Sequence, residues 1–512
     1  MCDFDARGGM AARAEGGVPG ARSAEHAARR TSSCALADHI ASASISAYDA
    51  ALASLPESAR SLTPGAGRAQ TVLASVVALD ARLDPPLRVV SLGAGTKFLR
   101  ANAIDADDAR GERVRDCHAE VLARRGLKRF LYEQIRVAAA AAAAGRRKRE
   151  RERDPDPDPE SNPDAPPDAP SAPWCVLEPC EGGWRVRDDC SFHLHATSAP
   201  CGNATVKRWA KGAREKFHED VGPFDVPRDL ATHPPPSFGA KKEGQLAFLY
   251  KRDGSAGAAA ATETVAEPKD AAKNPSVAPG VVPAGTATAG RLLTCSDKLA
   301  VWSCVGMQGG LLLAPGLLTR PVYLASVVVG RKFGQSVLRR ALCCRMHGFR
   351  GTRGTGRVPT EGADASGAAG AVAFALSHPA AMCTAIPFDL GVYVEGEGAR
   401  FDDPTAVTAW LNGEGDTVAE TIDGRTGEGT GGTAGVCRVA LLRAHRSAAA
   451  PGEGEDEPLG DAREGGGPPG YRALKEAAGK HSGYAAAKRA AMAQPALWTL
   501  SDRHPCAALA AP

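Results

Sequence analysis

The chain has 512 residues, including 57 glycines and 37 prolines, and a formal net charge of +3 at pH 7. Glycine and proline together exceed the roughly 12% of average proteins, and the excess is concentrated in blocks. No run approaches the ~18 apolar residues of a membrane span, and the first residues lack the apolar stretch of a secretory signal. We therefore expect a cytoplasmic or nuclear protein that is neither membrane-spanning nor secreted, with a folded part shorter than the chain.

The fourteen cysteines are expected to be reduced thiols, some of them metal ligands, because disulfides are rare in proteins without a secretory signal. The near balance of 62 basic and 59 acidic residues does not by itself indicate a nucleic-acid partner. An electrostatic binding surface would have to come from a local patch.

The predicted elements alternate between helices and strands. Residues 1–34 are interpreted as a disordered tail, and residues 35–512 as one domain. A helix at 36–52 and an apolar segment at 71–79 are followed by a buried strand at 87–92 that ends in a glycine turn. Further helices are predicted at 116–135, 295–306 and 336–344, and further strands at 174–177, 191–197 and 322–329. This alternation predicts an α/β sandwich.

Low-complexity insertions interrupt the domain near residues 138–173, 253–290, 351–370 and 446–469. Their alanine, glycine, proline and charged residues cannot bury enough apolar surface to offset the entropy of ordering. The basic block at 146–153 could be a localisation signal or an RNA contact. Its alternating glutamates favour a charged linker.

Three short segments, DCHAE, APCGN and TCSDK, each carry one residue type that binds zinc: His118, Cys201 and Cys295. Each segment is predicted at a helix N-terminus, where the helix dipole stabilises an anionic ligand. Taken alone, such a histidine is more often a core residue and such a thiol a small buried hydrophobe. Three ligands in matching contexts leave the fourth tetrahedral position open, which is typical of catalytic zinc.

Glu120 follows His118 by two residues and is predicted to act as the proton carrier. A His-x-Glu motif followed by Pro-Cys is the signature of zinc deaminases. The second cysteine of that signature should stand three positions after Cys201, where this chain has Ala204. Cys295 is the next credible thiol.

Residues 116–135, 192–204, 292–312 and 471–488 together resemble the editase domain of RNA adenosine deaminases. The resemblance covers about 70–510 apart from the insertions. It implies a cytidine-deaminase-like three-layer sandwich, with a central mixed sheet, helices on both faces and a C-terminal helical part. It also makes His118, Cys201 and Cys295 zinc ligands and Glu120 the proton shuttle.

The function implied by this resemblance is zinc-dependent hydrolytic deamination of adenosine to inosine. We expect tRNA as the partner, with adenosine 37 of alanine tRNA as the target, because the region before Leu36 is too short for a double-stranded-RNA-binding domain. We further expect a monomer that binds neither DNA nor membranes. The alternatives are editing of other structured or double-stranded RNA, and a catalytically inactive RNA-binding relative.

The resemblance also implies inositol hexakisphosphate as a second cofactor. Its implied ligands are Arg124, Arg125, Lys298, Trp302, Gln308, Arg438, Tyr471, Lys475, Tyr484, Lys488 and Trp498. Two positions depart from the family pattern. Val301 replaces a basic residue, and the thirteen-residue spacing from Tyr471 to Tyr484 requires a break near Gly479 and Gly483 if both are to reach one ligand.

A polar relay between this ligand and the active site is implied at Asp116, Lys298 and, more weakly, Lys241. Thr96 and Lys97 resemble residues that contact the RNA backbone. Without the resemblance, a lysine in a loop or an Arg-Arg pair on a helix would be interpreted as solvated surface.

Overall fold

The structure is a computed structural model. It describes residues 19–63, 71–99, 111–153, 173–201, 204, 294–346, 348–353, 372–388, 405–449 and 471–492. Within these ranges no helix combines the length and the apolar character that a bilayer crossing would require.

A seven-stranded mixed sheet forms the centre, in the order β11-β8-β7-β1-β2-β12-β13. Its strands are β1 (Leu73–Asp80), β2 (Leu87–Ala94), β7 (Cys190–Ala196), β8 (Leu324–Val329), β11 (Ala380–Cys383), β12 (Thr405–Leu411) and β13 (Thr417–Asp423). Strands β7, β8 and β11 run parallel to one another, and the other neighbouring pairs are antiparallel. Short two-stranded sheets are formed by β3 (Thr96–Phe98) with β4 (Asp116–His118), β5 (Leu177–Cys180) with β6 (Gly183–Val186), and β9 (Thr352–Arg353) with β10 (Ala373–Phe374).

The described helices are α1 (Pro19–Ser54), α2 (Glu57–Arg60), α3 (Ala119–Arg153), α4 (Cys295–Val305), α5 (Gln335–Leu342), α6 (Arg438–Ala449), α7 (Tyr471–His481) and α8 (Tyr484–Met492). They cover both faces of the sheet. On β1, the Ser75 hydroxyl donates to Ser44 of α1, whereas the next residue, Val76, belongs to the core that includes Leu127 of α3. Because successive strand residues point to opposite faces, α1 and α3 form the two outer layers. The predicted α/β fold with a mixed sheet and helices on both faces is confirmed.

Two glycines let α3 approach the sheet closely. A Cβ atom on Gly93 of β2 would lie 2.3 Å from the Leu122 Cβ and 2.6 Å from the Ala119 carbonyl oxygen. A Cβ atom on Gly126 of α3 would lie 2.8 Å from the Ser91 Cβ. This contact fixes the first turns of α3, which follow directly on His118.

The structure differs from the predicted element boundaries at several points. Helix α1 begins at Pro19, inside the segment predicted as a tail. The predicted helix at 116–135 begins only at Ala119, because residues 116–118 pair with β3. Near residues 174–177, the strand begins at Leu177, where the predicted one ends.

Two of the predicted insertions begin inside helices. Helix α3 continues to Arg153, because alanine has the highest helix propensity and Ala138 still packs in the core. Helix α6 continues to Ala449. The rest of these insertions, all of 253–290 and most of 351–370 lie outside the described residues.

Candidate active site and adjoining cationic cavity

The structure brings His118, Cys201 and Cys295 together. One ligand atom from each residue lies within 4.8 Å of the other two. His118 ends β4, Cys201 lies in the turn after β7, and Cys295 is the first residue of α4. Cys295 therefore lies at a helix N-terminus, as predicted. His118 instead ends the strand that leads into α3.

The two thiols are directly coupled. The Cys295 backbone N–H points to the Cys201 sulfur at 3.3 Å, and Ser296 donates its N–H to the Cys201 carbonyl at 3.1 Å. A hydrogen bond from the Cys295 thiol lowers the pKa of Cys201, and the same bond raises the pKa of Cys295. Cys201 is therefore the thiol that loses its proton first.

Asp116, which lies two residues before His118 on β4, orients the histidine ring. Its Oδ1 atom lies 2.9 Å from His118 Nδ1 and accepts the His118 backbone N–H at 3.0 Å. Its other oxygen binds the Lys298 ammonium. With Nδ1 donating to Asp116, Nε2 is the nitrogen that remains for a metal ion, which is the usual carboxylate–histidine arrangement around a ligating imidazole.

The pKa values in this triad follow from its charges. Burial alone would raise the pKa of Asp116, but Lys298 and His118 hold it well below its ordinary value. Burial alone would lower the pKa values of His118 and Lys298, and Asp116 raises both above their ordinary values. The carboxylate is thus ionised, as its orienting role requires.

The first turn of α4, which carries Cys295, is fixed by a buried network. Thr294 is the N-cap of this helix and forms a capping box with Asp297. Arg345, which is 5% exposed, donates to Asp297 at 2.7 Å and to the Ser296 carbonyl at 2.9 Å. A planar guanidinium suits this two-point contact. The sequence analysis did not find Arg345, because only the fold brings it next to residues 296 and 297.

Glu120 lies in the first turn of α3 and is 3% exposed. Its carboxylate raises the pKa of both thiols electrostatically, in addition to the larger effect of the bond between them. An acidic side chain therefore lies beside the three candidate ligands, where it can exchange a proton with a reacting group.

A cationic cavity adjoins this site. Among the described residues that line it, Arg124, Lys128, Lys475 and Lys488 are basic and none is acidic. Burial and neighbouring cations lower the pKa of Lys128 and Lys475, and lower the pKa of Lys488 to about 8. Buried cationic side chains that lie this close together repel one another. Such a cluster is typical of an anion-binding site.

Six predicted cofactor ligands line this cavity: Arg124, Trp302, Gln308, Lys475, Tyr484 and Lys488. The Arg124 guanidinium lies 4.5 Å from the Trp302 ring centroid. Both ends of the Gln308 amide bond to backbone, at Val305 and Val322, so this side chain shapes the cavity wall. The helix break required before Tyr484 is present, because α7 ends at His481 and Gly483 has a φ of 72°.

Among the remaining predicted ligands, Arg125, Lys298 and Arg438 make other contacts in the described part of the chain. Arg125 donates to the Val436 carbonyl at 2.6 Å, because one residue along a helix turns the side chain by about 100°. Lys298 binds Asp116, and Arg438 packs beside Gly111. Tyr471 begins α7. Trp498 and the relay candidate Lys241 lie outside the described residues.

Lys128 is a cavity residue that the sequence analysis missed. It follows Arg124 by four residues and precedes Tyr132 by four, and all three line the cavity. The i, i+4, i+8 spacing, which places side chains on one face of a helix, is the signal that could have found it.

Thr96 and Lys97, the predicted substrate contacts, lie on β3 beside the candidate metal ligand. Thr96 pairs with His118 and Lys97 with Cys117 across the β3–β4 ladder. Both side chains are partly exposed. Thr96 therefore lies on the same face of this ladder as His118, whereas Lys97 lies on the opposite face, with Cys117.

Comparison with known proteins shows which family these residues resemble. Residues 91–152 and 173–358 match the adenosine-deaminase (editase) domain. The chain is 29% identical over 264 residues to the double-stranded RNA-specific adenosine deaminase of Mus musculus, covering 50% of this chain and 17% of that protein. It is 27% identical over 281 residues to double-stranded RNA-specific editase B2 of the same species, covering 54% and 29%.

The chain is also 25% identical over 352 residues to tRNA-specific adenosine deaminase 1 of Homo sapiens, covering 54% of this chain and 63% of that protein. It thus spans about a sixth of the double-stranded RNA-specific adenosine deaminase and less than two thirds of the tRNA-specific relative.

Proposed function

Because residues 91–152 and 173–358 match the adenosine-deaminase (editase) domain, we propose that the chain deaminates adenosine to inosine in tRNA, at adenosine 37 of alanine tRNA. The observation that carries the proposal is the convergence of His118, Cys201 and Cys295 within 4.8 Å, with buried Glu120 beside them. The reaction adds water to adenine and releases ammonia, which requires an activated water and a proton carrier.

A tRNA substrate is favoured by the extent of the similarity. The alignment with the human tRNA-specific relative spans 352 residues and 63% of its length. The alignment with the murine double-stranded RNA-specific deaminase spans 264 residues and 17% of its length. Double-stranded RNA is the second candidate substrate, because that alignment has the higher identity.

The candidate ligands suit a zinc ion. One imidazole and two thiols are donors that zinc prefers, and three protein ligands leave one position for a reactant. His118 and Asp116 supply the histidine–carboxylate pair that supports a ligating nitrogen. When bound, zinc supplies the Lewis acid that lowers the pKa of water toward neutrality.

The protein's own residues manage the protons. Glu120 takes one proton from the water and delivers it to ring N1 as the water oxygen bonds to adenine C6. It then takes the second proton from that oxygen and delivers it to the N6 amine, so that the C6–N6 bond breaks, ammonia leaves and the C6 carbonyl of inosine forms. Asp116 keeps the proton of His118 on Nδ1. Lys298 neutralises Asp116, so that the buried carboxylate stays ionised.

The cationic cavity suits inositol hexakisphosphate. Four basic side chains converge there from α3, α7 and α8, and a densely anionic ligand would offset their mutual repulsion. Gly309 has a φ of 78°, and a Cβ atom at this position would lie 3.3 Å from Lys128 Cε, so the absence of a side chain leaves room for the lysine. We assign the cofactor to Arg124, Lys128, Trp302, Lys475, Tyr484 and Lys488.

The test is inosine mapping on alanine tRNA incubated with the purified full-length chain, with a double-stranded RNA as the second substrate. Inosine at position 37 supports the proposal, whereas inosine only in the duplex favours the second candidate. Zinc-loaded protein that binds both RNAs and forms no inosine in either contradicts an enzymatic role.

Glu120→Gln tests the proton carrier. The amide is similar in size but cannot accept a proton, so this variant should keep zinc and RNA binding while inosine formation falls by at least about 10²-fold. Glu57→Gln, on the exposed helix α2, is the control. Wild-type turnover in Glu120→Gln would refute the assigned role.

A further inference from the structure

A long part of the chain carries positive charge without any acidic residue. Residues 298–360 contain ten Lys or Arg residues and no Asp or Glu. The net charge of the whole chain is only +3, so this stretch is a local cationic feature. Two of its basic residues, Arg331 and Lys332, are consecutive in the loop that joins β8 to α5.

This loop lies beside the segment that leads to Cys201. Strands β7 and β8 are parallel neighbours, so their C-terminal ends meet at the same edge of the sheet. The Gly330 N–H donates to the Ala196 carbonyl at 2.9 Å, and the Ala199 N–H donates to the Arg331 carbonyl at 2.9 Å. Residues 330–332 are thereby held next to residues 196–201.

Lys332 has an unusual backbone conformation at this position. Its φ is 58°, and among the described residues it is the only non-glycine with a positive φ. A left-handed conformation is unfavourable for a residue with a side chain and recurs at functional sites. The Lys332 side chain is partly buried, and its ammonium group interacts electrostatically with the Cys201 thiol.

The described groups that act on the Lys332 charge are Arg331 and Cys201. Within the described part of the chain no carboxylate forms an ion pair with it, and Arg331 adds a second cation next to it. A structural lysine is usually paired with a carboxylate. A lysine that is held in a costly conformation beside another cation at the rim of a site is instead suited to an external anion.

We propose that Lys332 binds a phosphate of the RNA strand next to the nucleotide that enters the metal site. This inference rests on the proposed function. A nucleotide that is turned out of its strand to reach Cys201 brings its flanking phosphates to the rim of the site. The Lys332 ammonium group is a point charge at that rim, on the α5 side.

Lys332→Asn tests this contact, because asparagine tolerates a positive φ and removes the charge. The variant should make about one phosphate contact fewer with RNA. The negative slope of log K against log salt should therefore become shallower by about 0.7 to 0.9. Zinc content should stay near wild-type, because Lys332 is not one of the candidate zinc ligands. Lys332→Arg should restore the slope.

Arg320→Gln is the matched control. It removes one positive charge from the same acid-free stretch at an exposed position that precedes β8, at the opposite end of the strand from Lys332. Its slope should equal that of the wild type. A wild-type slope in Lys332→Asn would overturn the proposed contact.

The two proposals fail in different ways. If Lys332→Asn lowers the slope while no RNA acquires inosine, the proposed function fails and the phosphate contact stands. If wild-type and Lys332→Asn bind RNA with equal slopes while inosine forms, the phosphate contact fails and the proposed function stands.

Discussion

Asp116 connects three parts of the site through one carboxylate. It binds the His118 ring, the His118 backbone and the Lys298 ammonium group, and it is 8% exposed. Its neighbours come from β4 and from α4, so the carboxylate links the two elements that carry His118 and Cys295. A buried charge of this kind depends on every partner, because the loss of one leaves the others without compensation.

Asp116→Asn should therefore weaken zinc binding by about 10- to 100-fold, which is the usual effect of losing a carboxylate behind a ligating histidine. The asparagine side chain has a similar shape but carries no charge to hold the His118 proton or to pair with Lys298. Competition with a chelator measures the affinity, and circular dichroism shows that the variant folds. Asp188→Asn, at an acid whose side chain is 80% exposed, is the control. Equal affinity in wild type and Asp116→Asn would contradict the orienting role.

Arg345 supports the helix turn that carries Cys295, as Asp116 supports His118. It bonds the Ala341 carbonyl at 2.9 Å as well as Asp297 and Ser296, so the end of α5 supports the first turn of α4. The residue lies 50 positions after Cys295, and nothing in the local sequence indicates the contact. Positions of this type can be predicted only after the fold is known.

At the scale of elements, helix α3 carries residues of both the candidate metal site and the cationic cavity. Its first turn carries Glu120, and its second and third turns carry Arg124 and Lys128. Four residues of helix span about 6 Å, so the proton carrier and the first cation of the cavity are separated by about one turn. The close contact of α3 with β2 at Gly93 fixes the position of both.

Gly93→Ala should lower the free energy of unfolding by about 1 to 3 kcal/mol, because the added methyl group overlaps Leu122 and the Ala119 carbonyl and forces α3 away from the sheet. Displacement of the first turn should also reduce zinc affinity. Denaturant unfolding and chelator competition measure the two effects.

Gly145→Ala is the control for this substitution. Nothing lies within 4 Å of a Cβ atom at Gly145, which is also in α3. Alanine there should stabilise the helix by up to about 1 kcal/mol. If Gly93→Ala were as stable as Gly145→Ala, the close approach of α3 would not constrain the site.

At the scale of the whole molecule, the cationic cavity depends on segments that are far apart in the chain. Arg124 and Lys128 belong to α3, Trp302 to α4, and Lys475 and Lys488 to the C-terminal helices. The cavity thus joins the last described helices to the central layers. An anion bound there would link these elements and stabilise the folded state in proportion to its affinity.

The effect of pH on this cavity follows from the lowered pKa of Lys488, which is about 8. Between pH 8 and the ordinary value of 10.5, the unfolded chain holds a proton on Lys488 that the folded chain has released. In the absence of an anion, the free energy of unfolding therefore rises with pH in this window. A bound polyanion favours the protonated lysine, so its affinity should fall as the pH rises above 8.

Added inositol hexakisphosphate should accordingly raise the thermal midpoint of the purified protein at pH 7 by more than at pH 9.5. Lys488→Gln should weaken its binding by about tenfold or more, as expected for a charge-assisted contact. Arg489→Gln removes the same charge at the next residue, which does not line the cavity, and should leave the affinity unchanged. A midpoint shift that is the same at both pH values would argue against lysine ligands.

Part of the order of helices and strands, as far as α5, could be predicted from the sequence, because hydrophobic periodicity and glycine turns are local signals. Strands β11, β12 and β13 and helix α6 are found only in the structure. The strand at 191–197 and the helix at 295–306 agree with β7 and α4 to within one residue. The ends of α1 and α3 could not be predicted in this way, because packing and alanine propensity extend both helices into segments of low-complexity composition.

The sequence by itself determined the chemistry of the candidate site, because its motifs supply one imidazole, two thiols and a glutamate. The tertiary structure alone decided which residues meet. It brought Lys475 and Lys488 to the cavity beside Arg124, and set Arg345 and Lys332 beside the candidate ligands. The physical reason is that motifs are read along the chain, whereas a site is assembled across a sheet whose neighbouring strands, such as β7 and β8, are more than a hundred residues apart.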